Sequence, residues 1–324
     1  MMKRMIAIAL AGLLAGLATA RADDYPNRSI TLIVPFAAGG PTDALARLFA
    51  DRLRVALGQT VLVENITGAA GSIAVGRAVR SAPDGYTLSI GHWSTHVLNG
   101  AIYNLPYDLR TDLAPIALLA SNPQLIAGKT SWPAKDLKSL IAWLNDNPGK
   151  ATVGTAGPGS ASHIGGVYFA EASKTQVQFV PYRGTGPAMQ DLIAGQIDLV
   201  FDQSASSLPQ VRAGAVKAFA VTAKTRLASA PDIPTVDEAG LPGFYIAVWH
   251  GLWAPKDTPK PIIAKLAAAV RETLADETVR KRLVDLGQDL PSAEQQSPEG
   301  LAAFQKAEIE KWWPIIKASG LKVE

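Results

Sequence analysis

Short apolar segments alternate with amphipathic segments along most of the chain. Residues Ile30–Val34 are β-branched and nearly all apolar, which predicts a strand buried on both faces of a sheet. The segment that follows places large apolar residues on one face of a helix: Leu45, Leu48, Phe49 and Leu53. Further short strands are predicted at residues 61–64, 87–90, 152–153, 178–180, 199–201 and 218–221. The repeated βαβα order predicts an α/β fold built from doubly wound, mostly parallel sheets.

The last part of the chain shows only helical periodicity. Apolar residues recur every four positions at Ile262, Leu266, Val270 and Leu274. A further helix is predicted over residues 298–317, with Leu301, Phe304, Ile309 and Trp312 as its apolar positions. Because no strand follows these helices, we expect them to cover a sheet that earlier residues have formed.

Two lobes are expected from the length of 324 residues. Boundaries are predicted near residues 121–129 and near residues 249–261, where three prolines occur. Because the chain crosses between the lobes twice, one lobe should contain both chain ends. The predicted division is residues 23–125 plus 250–324 for the first lobe and residues 126–249 for the second.

The N-terminal segment has the features of a secretory signal peptide. A short basic start at Lys3 and Arg4 precedes an uncharged, Ala- and Leu-rich run over residues 5–20, and small residues follow at a cleavage-like position. The alternative is a membrane anchor, but the run is short for a bilayer, which needs about 20 apolar residues. We therefore predict that residues 1–22 are removed on export to the periplasm.

Composition excludes several classes of function. Removing Lys3, Arg4 and Arg21 with the leader cancels the formal net charge of +3, so a nucleic-acid-binding surface is not expected. The absence of cysteine rules out disulfides and thiolate metal sites. No later segment is apolar enough to span a membrane, and we expect a soluble monomer.

Two glycine-rich loops stand between a predicted strand and a helix. The first contains Gly39 and Gly40, and the second contains Gly157 and Gly159. Glycine lets the backbone approach a ligand, and the following helix N-terminus offers free N–H groups and a positive dipole end. Since ligands bind outside the carboxyl ends of parallel strands, the two loops predict an anion site, one loop from each lobe. The alternative is that the glycines only make tight turns.

Other side chains at these strand ends have two possible roles each. Asp43 and Thr42 could cap the helix behind them, and Asp202 could either cap a helix or bind an amine or hydroxyl of the ligand. His163 could donate to a carboxylate or be a satisfied structural residue. Tyr182 follows a strand directly and could face the ligand.

Sequence signatures of enzymes are absent. There is no Gly-x-Ser-x-Gly elbow, no Walker sequence and no complete dinucleotide fingerprint. His92 and His96 have the spacing of a zinc pair but lack the accompanying glutamate. We predict no catalytic residues, no metal and no cofactor. The less favoured alternative is an exported hydrolase that uses Ser160 with His163.

Several segments, taken in order, resemble the substrate-binding proteins of tripartite tricarboxylate transporters, also called the Bug family. They are Ile-Val-Pro-Phe-Ala-Ala-Gly-Gly-Pro-Thr-Asp at 33–43, Val-Glu-Asn at 63–65, Gly-Ala-Ala-Gly at 68–71, Ala-Pro-Asp-Gly-Tyr-Thr-Leu at 82–88, Leu-Pro-Tyr-Asp at 105–108, Val-Pro-Tyr-Arg-Gly at 180–184, Gly-Gln-Ile-Asp at 195–198 and Pro-Thr-Val-Asp-Glu-Ala-Gly at 234–240. Together they extend over essentially the whole chain after the leader.

This resemblance implies a periplasmic, two-lobe (Venus flytrap) binding protein. It implies delivery of a di- or tricarboxylate, an acidic amino acid or an aromatic acid to a permease with one large and one small membrane subunit. By position, the carboxylate-binding groups of the first lobe are Phe36, Ala38, Gly40, Thr42 and Asp43. Those of the second lobe are Ala156, Gly157, Gly159, Ser160 and His163. In amino-acid-binding members, the position of Asp202 holds the amine.

One segment departs from the usual family pattern. His92, Trp93 and Ser94 stand where many relatives have small residues, and Trp93 could stack on a ring-bearing ligand or pack in the core. The predicted function is capture without chemistry, in which the ligand stabilises the closed arrangement of the lobes. A ligand sensor that signals through a membrane protein is the alternative.

Overall fold

The computed structural model describes residues 25–318 and residue 322. The predicted signal peptide, residues 1–22, lies outside the described residues. These residues contain nine strands: β1 Ile30–Val34, β2 Val61–Asn65, β3 Thr87–His92, β4 Leu113–Lys129, β5 Thr152–Thr155, β6 Gln178–Pro181, β7 Leu199–Gln203, β8 Val216–Val221 and β9 Ala247–Pro255.

Ten α-helices accompany these strands in the described part of the chain. They are α1 Pro41–Leu57, α2 Ser72–Val79, α3 Asn99–Ile102, α4 Leu137–Asp146, α5 Ala161–Ser173, α6 Thr185–Ile193, α7 Ser204–Arg212, α8 Lys260–Ala275, α9 Glu277–Asp285 and α10 Pro298–Ala318. A 3₁₀ turn at Ala69–Gly71 precedes α2, and a π-helical turn at Ser94–Leu98 precedes α3.

The sheet order is β2-β1-β3-β9-β4-β7-β5-β6, with β8 also paired to β4. Strands β2, β1 and β3 are parallel in one lobe, and β6, β5 and β7 are parallel in the other. Between these parallel sets lie the antiparallel pairings of β9 with β3 and of β4 with β9, β7 and β8. The two-lobe α/β fold predicted from the sequence is confirmed.

Strand β4 belongs to both lobes. Its residues 113–123 pair with β9, whereas residues 124–128 pair with β7 and residues 125–129 with β8. The sequence led us to expect connecting segments near residues 121–129 and 249–261, but strands β4 and β9 occupy most of both. The chain therefore passes between the lobes inside a hydrogen-bonded sheet, and the precise division at residues 125/126 and 249/250 stays a prediction.

The helices cover the sheet with the faces that their apolar spacing predicts. Helix α1 buries Leu45, Phe49 and Leu53, which are at most 4% exposed, in a core shared with Leu266 and Val270 of α8. Helix α10 contributes Leu301 and Ile309 to the larger core. The C-terminal helices thus cover existing strands, as expected. Within residues 25–318, no helix is both long and apolar enough to span a membrane.

Candidate functional site

A small cavity lies where the two lobes meet at the carboxyl ends of β1, β3, β5 and β7. Its lining residues come from both lobes: Phe36, Gly40, Pro41, Thr42, His92, Gln124, Ala156, Ser160, Ala161, Ser162, Thr185, Phe201, Asp202 and Gln203. The volume of about 20 Å³ has room for roughly one water molecule. The structure is therefore a closed arrangement of the lobes, in which the predicted ligand site has little free space.

The first glycine loop, residues 35–40, leaves the N-terminus of α1 without a side-chain cap. Gly40 is the N-cap residue, and Pro41 follows in the first helical turn, where it has no N–H to offer. The backbone N–H groups of Thr42 and Asp43 donate to no acceptor among the described residues. These two donors at the positive end of the helix dipole form an anion-binding position.

Asp43 supports this loop from outside the cavity. Its Oδ2 accepts hydrogen bonds from the Gly39 backbone N–H and from Arg47, both at 3.0 Å, and its Oδ1 accepts one from Asn65. Burial alone would raise the pKa of this carboxyl, but these donors and the Arg47 charge hold it below its usual value. The structure therefore gives Asp43 a loop-fixing role, while Ala38, also predicted for the ligand, is exposed.

The second glycine loop, residues 156–160, uses its donors internally. The Ser160 hydroxyl accepts the His163 backbone N–H at 3.3 Å and so caps α5. The N–H of Gly159 donates to His163 Nδ1, that of Ala156 to Ser162 Oγ, and that of Gly157 to Thr155 Oγ1. Sequence reasoning treated the two loops as equivalent, and the structure corrects this, because only the first leaves its helix uncapped.

The same contacts bear on the hydrolase alternative. Ser160 Oγ bonds to the backbone of His163 and approaches Ser162 Oγ at 3.1 Å, and no bond joins it to the His163 ring. The His163 ring packs edge-on against Phe179, and burial lowers the pKa of this imidazole. Ser160 and His163 are thus arranged as a helix cap and a loop support, without the nucleophile-to-base hydrogen bond that catalysis needs.

His92 enters the cavity as a fixed, neutral donor. Its ring stacks on Phe36 at 5.1 Å, and its Nδ1 accepts the Ser94 backbone N–H at 3.1 Å. Because a backbone N–H can only donate, Nδ1 carries no proton and the hydrogen of the neutral ring is on Nε2. Burial lowers the pKa of His92 to about 3, which keeps the ring neutral. The strand predicted at residues 87–90 extends to His92, and a π-helical turn follows it.

Trp93 and Tyr182 lie away from the cavity. Trp93 is 2% exposed and packs in the core against Trp312 of α10, with ring centroids 4.9 Å apart. Of the two roles considered for Trp93, the structure supports core packing. The Tyr182 hydroxyl donates to Asp191 at 2.7 Å, and burial together with this carboxylate raises its pKa to about 12. Ser94 is buried, and its backbone N–H and hydroxyl both lie within hydrogen-bond distance of His92 Nδ1.

Asp202 is a buried carboxylate on the second-lobe wall of the cavity. Its Oδ2 accepts from the hydroxyls of Ser206 and Ser207, whereas its Oδ1 has no hydrogen-bond partner within the described residues. Burial raises the pKa of Asp202, and the hydroxyls of Ser206, Thr185 and Ser207 together with the Gln203 backbone N–H only partly oppose this shift. The neighbouring Gln203 Oε1 is also buried and unpartnered. This wall therefore contains two buried oxygens, Asp202 Oδ1 and Gln203 Oε1, that accept no hydrogen bond from the described residues.

Sequence reasoning missed half of the lining residues. Of the fifteen predicted residues, the cavity brings together Phe36, Gly40, Thr42, His92, Ala156, Ser160 and Asp202. The missed ones are Pro41, Gln124, Ala161, Ser162, Thr185, Phe201 and Gln203. Several of them adjoin predicted residues at the same strand ends, so widening each loop by one or two positions could have found them. Gln124 lies inside β4 and gave no such signal.

The lobes also contact each other directly beside the cavity. The Ala37 backbone N–H donates to the Arg183 carbonyl at 2.9 Å, and the Tyr103 hydroxyl donates to the Pro158 carbonyl. A Cβ added at Gly186 would lie 2.8–2.9 Å from backbone atoms of the first glycine loop. Glycine at this position is therefore required for the close approach of the lobes.

The chain matches a known family over most of its length. Residues 45–321 match the pattern of the tripartite tricarboxylate transporter family receptor. The chain belongs to this family. It is therefore a solute-binding protein, and the resemblance found in the sequence is confirmed. Within the described residues, no group of three or more His, Asp or Glu side chains could hold a metal ion.

Solved structures of similar proteins carry the same fold as this receptor. The periplasmic binding protein BugD is 39% identical, with a TM-score of 0.89 over 92% of this chain and 100% of its own. MatC from Rhodopseudomonas palustris, solved with bound malate, is 41% identical, with a TM-score of 0.86 over 90% of this chain and 100% of its own. Rpa4515 from R. palustris, solved with adipate, is 32% identical, with a TM-score of 0.87 over 93% and 100%.

Proposed function

We propose that this protein captures a small carboxylate between its lobes in the periplasm and delivers it to a permease with one large and one small membrane subunit. The observation that carries the proposal is the uncapped N-terminus of α1, whose free N–H groups at Thr42 and Asp43 lie beside the interlobe cavity. Two adjacent backbone donors match the two oxygens of one carboxylate. The malate- and adipate-bound relatives support a ligand of this class.

The cavity recognises its anion without a cationic side chain. Among the described lining residues there is no Lys or Arg, and His92 is neutral. Binding therefore relies on oriented N–H and O–H groups and on the helix dipole, which act strongly where water is excluded. A neutral site of this kind favours one carboxylate group at the α1 position rather than several charges crowded together.

The second-lobe wall of the cavity restricts the class of ligand further. The unpartnered oxygens of Asp202 and Gln203 need hydrogen-bond donors, because a buried acceptor without one costs about 1–3 kcal/mol. A hydroxyl or ammonium group on the ligand would supply such a donor, and so would a protonated second carboxyl. We therefore propose a carboxylate that also carries a hydrogen-bond donor, such as a hydroxy acid or an amino acid.

Closure would link binding to delivery. The cavity is complete only when residues from both lobes meet, so a ligand that contacts both walls stabilises a closed arrangement in which the volume of the ligand holds the walls slightly further apart. The membrane subunits would then recognise the closed form.

A thermal-shift screen tests the proposal. Purified protein is heated with malate, adipate, citrate, aspartate, glutamate and benzoate, and at least one should raise Tm in a concentration-dependent way. The Thr42→Val variant, which removes the hydroxyl and keeps the backbone N–H groups, should reduce this shift, whereas Thr273→Val, which removes a buried hydroxyl far from the cavity, should keep it. No shift with any of the six acids, or equal loss in both variants, would contradict the proposal.

A further inference from the structure

His250 contacts the proposed carboxylate position from behind. It lies on β9 directly across from His92 on β3, and their rings meet edge to face at 5.3 Å. Its Nε2 is 3.1 Å from Oγ1 of Thr42, and both side chains are at most 1% exposed. His250 is 208 positions from Thr42 in the chain and does not line the cavity itself. It can therefore act on a ligand only through the Thr42 hydroxyl.

The direction of this hydrogen bond decides what Thr42 offers the ligand. The Thr42 hydroxyl has a single hydrogen, which either points to His250 Nε2 or is free for the cavity. The His250 Nδ1 is buried without a partner, and burial holds the pKa of the ring well below its usual value, so the ring is neutral. A proton on Nδ1 would leave an orphaned N–H donor, which is rarer in proteins than an unpartnered acceptor.

We propose that His250 is a positioning residue that carries its hydrogen on Nε2, donates to Thr42 Oγ1 and thereby directs the Thr42 O–H at the ligand carboxylate. The inference rests on the proposed function for the identity of the ligand. In the opposite arrangement, Thr42 would present only lone pairs to an anion. With His250 as donor, the hydroxyl joins the Thr42 and Asp43 backbone N–H groups and the His92 Nε2–H as the hydrogen-bond donors on the first-lobe side of the cavity.

The tautomer can be measured without any ligand. The protein has four histidines, so ¹H–¹⁵N correlation spectra of the imidazole nitrogens can be assigned with single variants. We expect His250 to be protonated on Nε2 and bare on Nδ1. His92 and His163 are internal controls, because each accepts a backbone N–H on Nδ1 and must show the same tautomer. A His250 ring protonated on Nδ1 overturns the inference, whatever the protein binds.

Binding of malate and adipate tests the consequence. His250→Leu removes the donor that fixes the direction of the Thr42 hydroxyl and should weaken binding by up to about tenfold, the scale of one neutral hydrogen bond. His250→Gln keeps an N–H near the Nε2 position and should stay within about threefold of the native affinity, which separates the donor from a merely structural role. In a Thr42→Val background, His250→Leu should add no further loss.

The outcomes separate the two proposals. An equal loss in His250→Gln and His250→Leu, or an undiminished effect of His250→Leu in the Thr42→Val background, overturns the positioning role. If neither acid binds native protein, the proposed ligand class fails for those acids, and the tautomer of His250 alone decides the inference. If His250→Leu does not fold, His250→Gln and the spectra supply the same decision.

Discussion

The two glycine loops look alike in sequence and differ in what they leave free. The second loop ends in Ser160, which caps α5, and its Ala156 and Gly159 N–H groups donate to side chains of α5. The first ends in Gly40 and Pro41, so α1 has no side-chain cap and its first N–H donors lack partners among the described residues. Glycine in a βα loop therefore shows only that the backbone can come close, whereas the capping residue shows whether an anion can bind there.

The Gly186→Ala variant should have the largest effect, because it keeps the first glycine loop away from the N-terminus of α6 in the other lobe. Its Cβ would lie 2.8–2.9 Å from backbone atoms at Ala38, Gly39 and Gly40, which cannot move away as a flexible side chain can. Overpacking of about 1–3 kcal/mol should weaken ligand binding roughly 10- to 100-fold through loss of the closed form. Titration calorimetry gives the affinity, and small-angle scattering should show a more open molecule.

Gly40→Ala is the matched control for that prediction. Gly40 has an extended backbone, and an added Cβ would meet its nearest neighbours at 3.5 Å or more. The lobes of the Gly40→Ala variant should therefore close as they do in the native protein. Similar scattering and affinity for Gly186→Ala and Gly40→Ala would show that the tight contact does not limit closure.

Gly40→Ser would make the first loop resemble the second. A serine at the N-cap should accept the N–H of Thr42 or Asp43 and stabilise the protein by a few tenths of a kcal/mol. The same hydroxyl should compete with the ligand carboxylate and weaken its binding about tenfold. Chemical denaturation and calorimetry measure the two effects, which should have opposite signs. An unchanged affinity would show that the α1 N-terminus does not hold the carboxylate.

The Asp202→Asn variant tests the second-lobe wall of the cavity and the pH dependence of the protein's stability. Burial raises the pKa of Asp202, so its charged form costs stability once the pH rises above the unfolded value of 3.8 towards the folded pKa. The variant should equal native protein near pH 3 and exceed it at pH 7, by about 1.4 kcal/mol for each unit of raised pKa. Denaturant titrations between pH 3 and pH 8 measure this, with Asp146→Asn on the surface as the control. A stability difference that does not grow with pH would contradict it.

Ser160→Ala should have the smallest effect. Losing the cap of α5 should destabilise the protein by about 1 kcal/mol. Because the N–H groups of Ala156, Gly157 and Gly159 keep their own acceptors, binding should weaken less than in Gly40→Ser. Thermal unfolding and calorimetry compare the two variants. A greater loss of affinity in Ser160→Ala would reverse the proposed roles of the loops.

Local patterns in the sequence predicted most of the fold. The strands at Ile30–Val34 and Leu199–Gln203, the helix face of Leu45, Phe49 and Leu53, and the helices that follow β9 all depend on short-range periodicity. Strand β4 was missed because its apolar run alternates poorly and contains Pro115 and Pro123, which usually signal connecting segments. Its 17 residues form a strand because partners on both lobes pair with it.

The site was only partly predictable for a related reason. Residues at strand ends can be read from the order of elements, and this located Thr42, His92 and Asp202. Which loop is capped could have been read from Ser160 and Gly40, but the shared glycines obscured the difference. The approach of His250 to Thr42 spans 208 positions and follows only from the pairing of β9 with β3.

The shared strand β4 has a mechanical consequence. The lobes are joined by β4 and β9, whose backbones stay paired where the chain crosses between the lobes, with Ser121 opposite Trp249 and Asn122 opposite Val248. Separating the lobes must therefore twist the two-stranded ribbon that β4 and β9 form, and the hydrogen bonds of this ribbon resist the twist. Its stiffness would set how far the lobes part and how quickly they return, so substitutions in this ribbon should alter binding rates without touching the ligand.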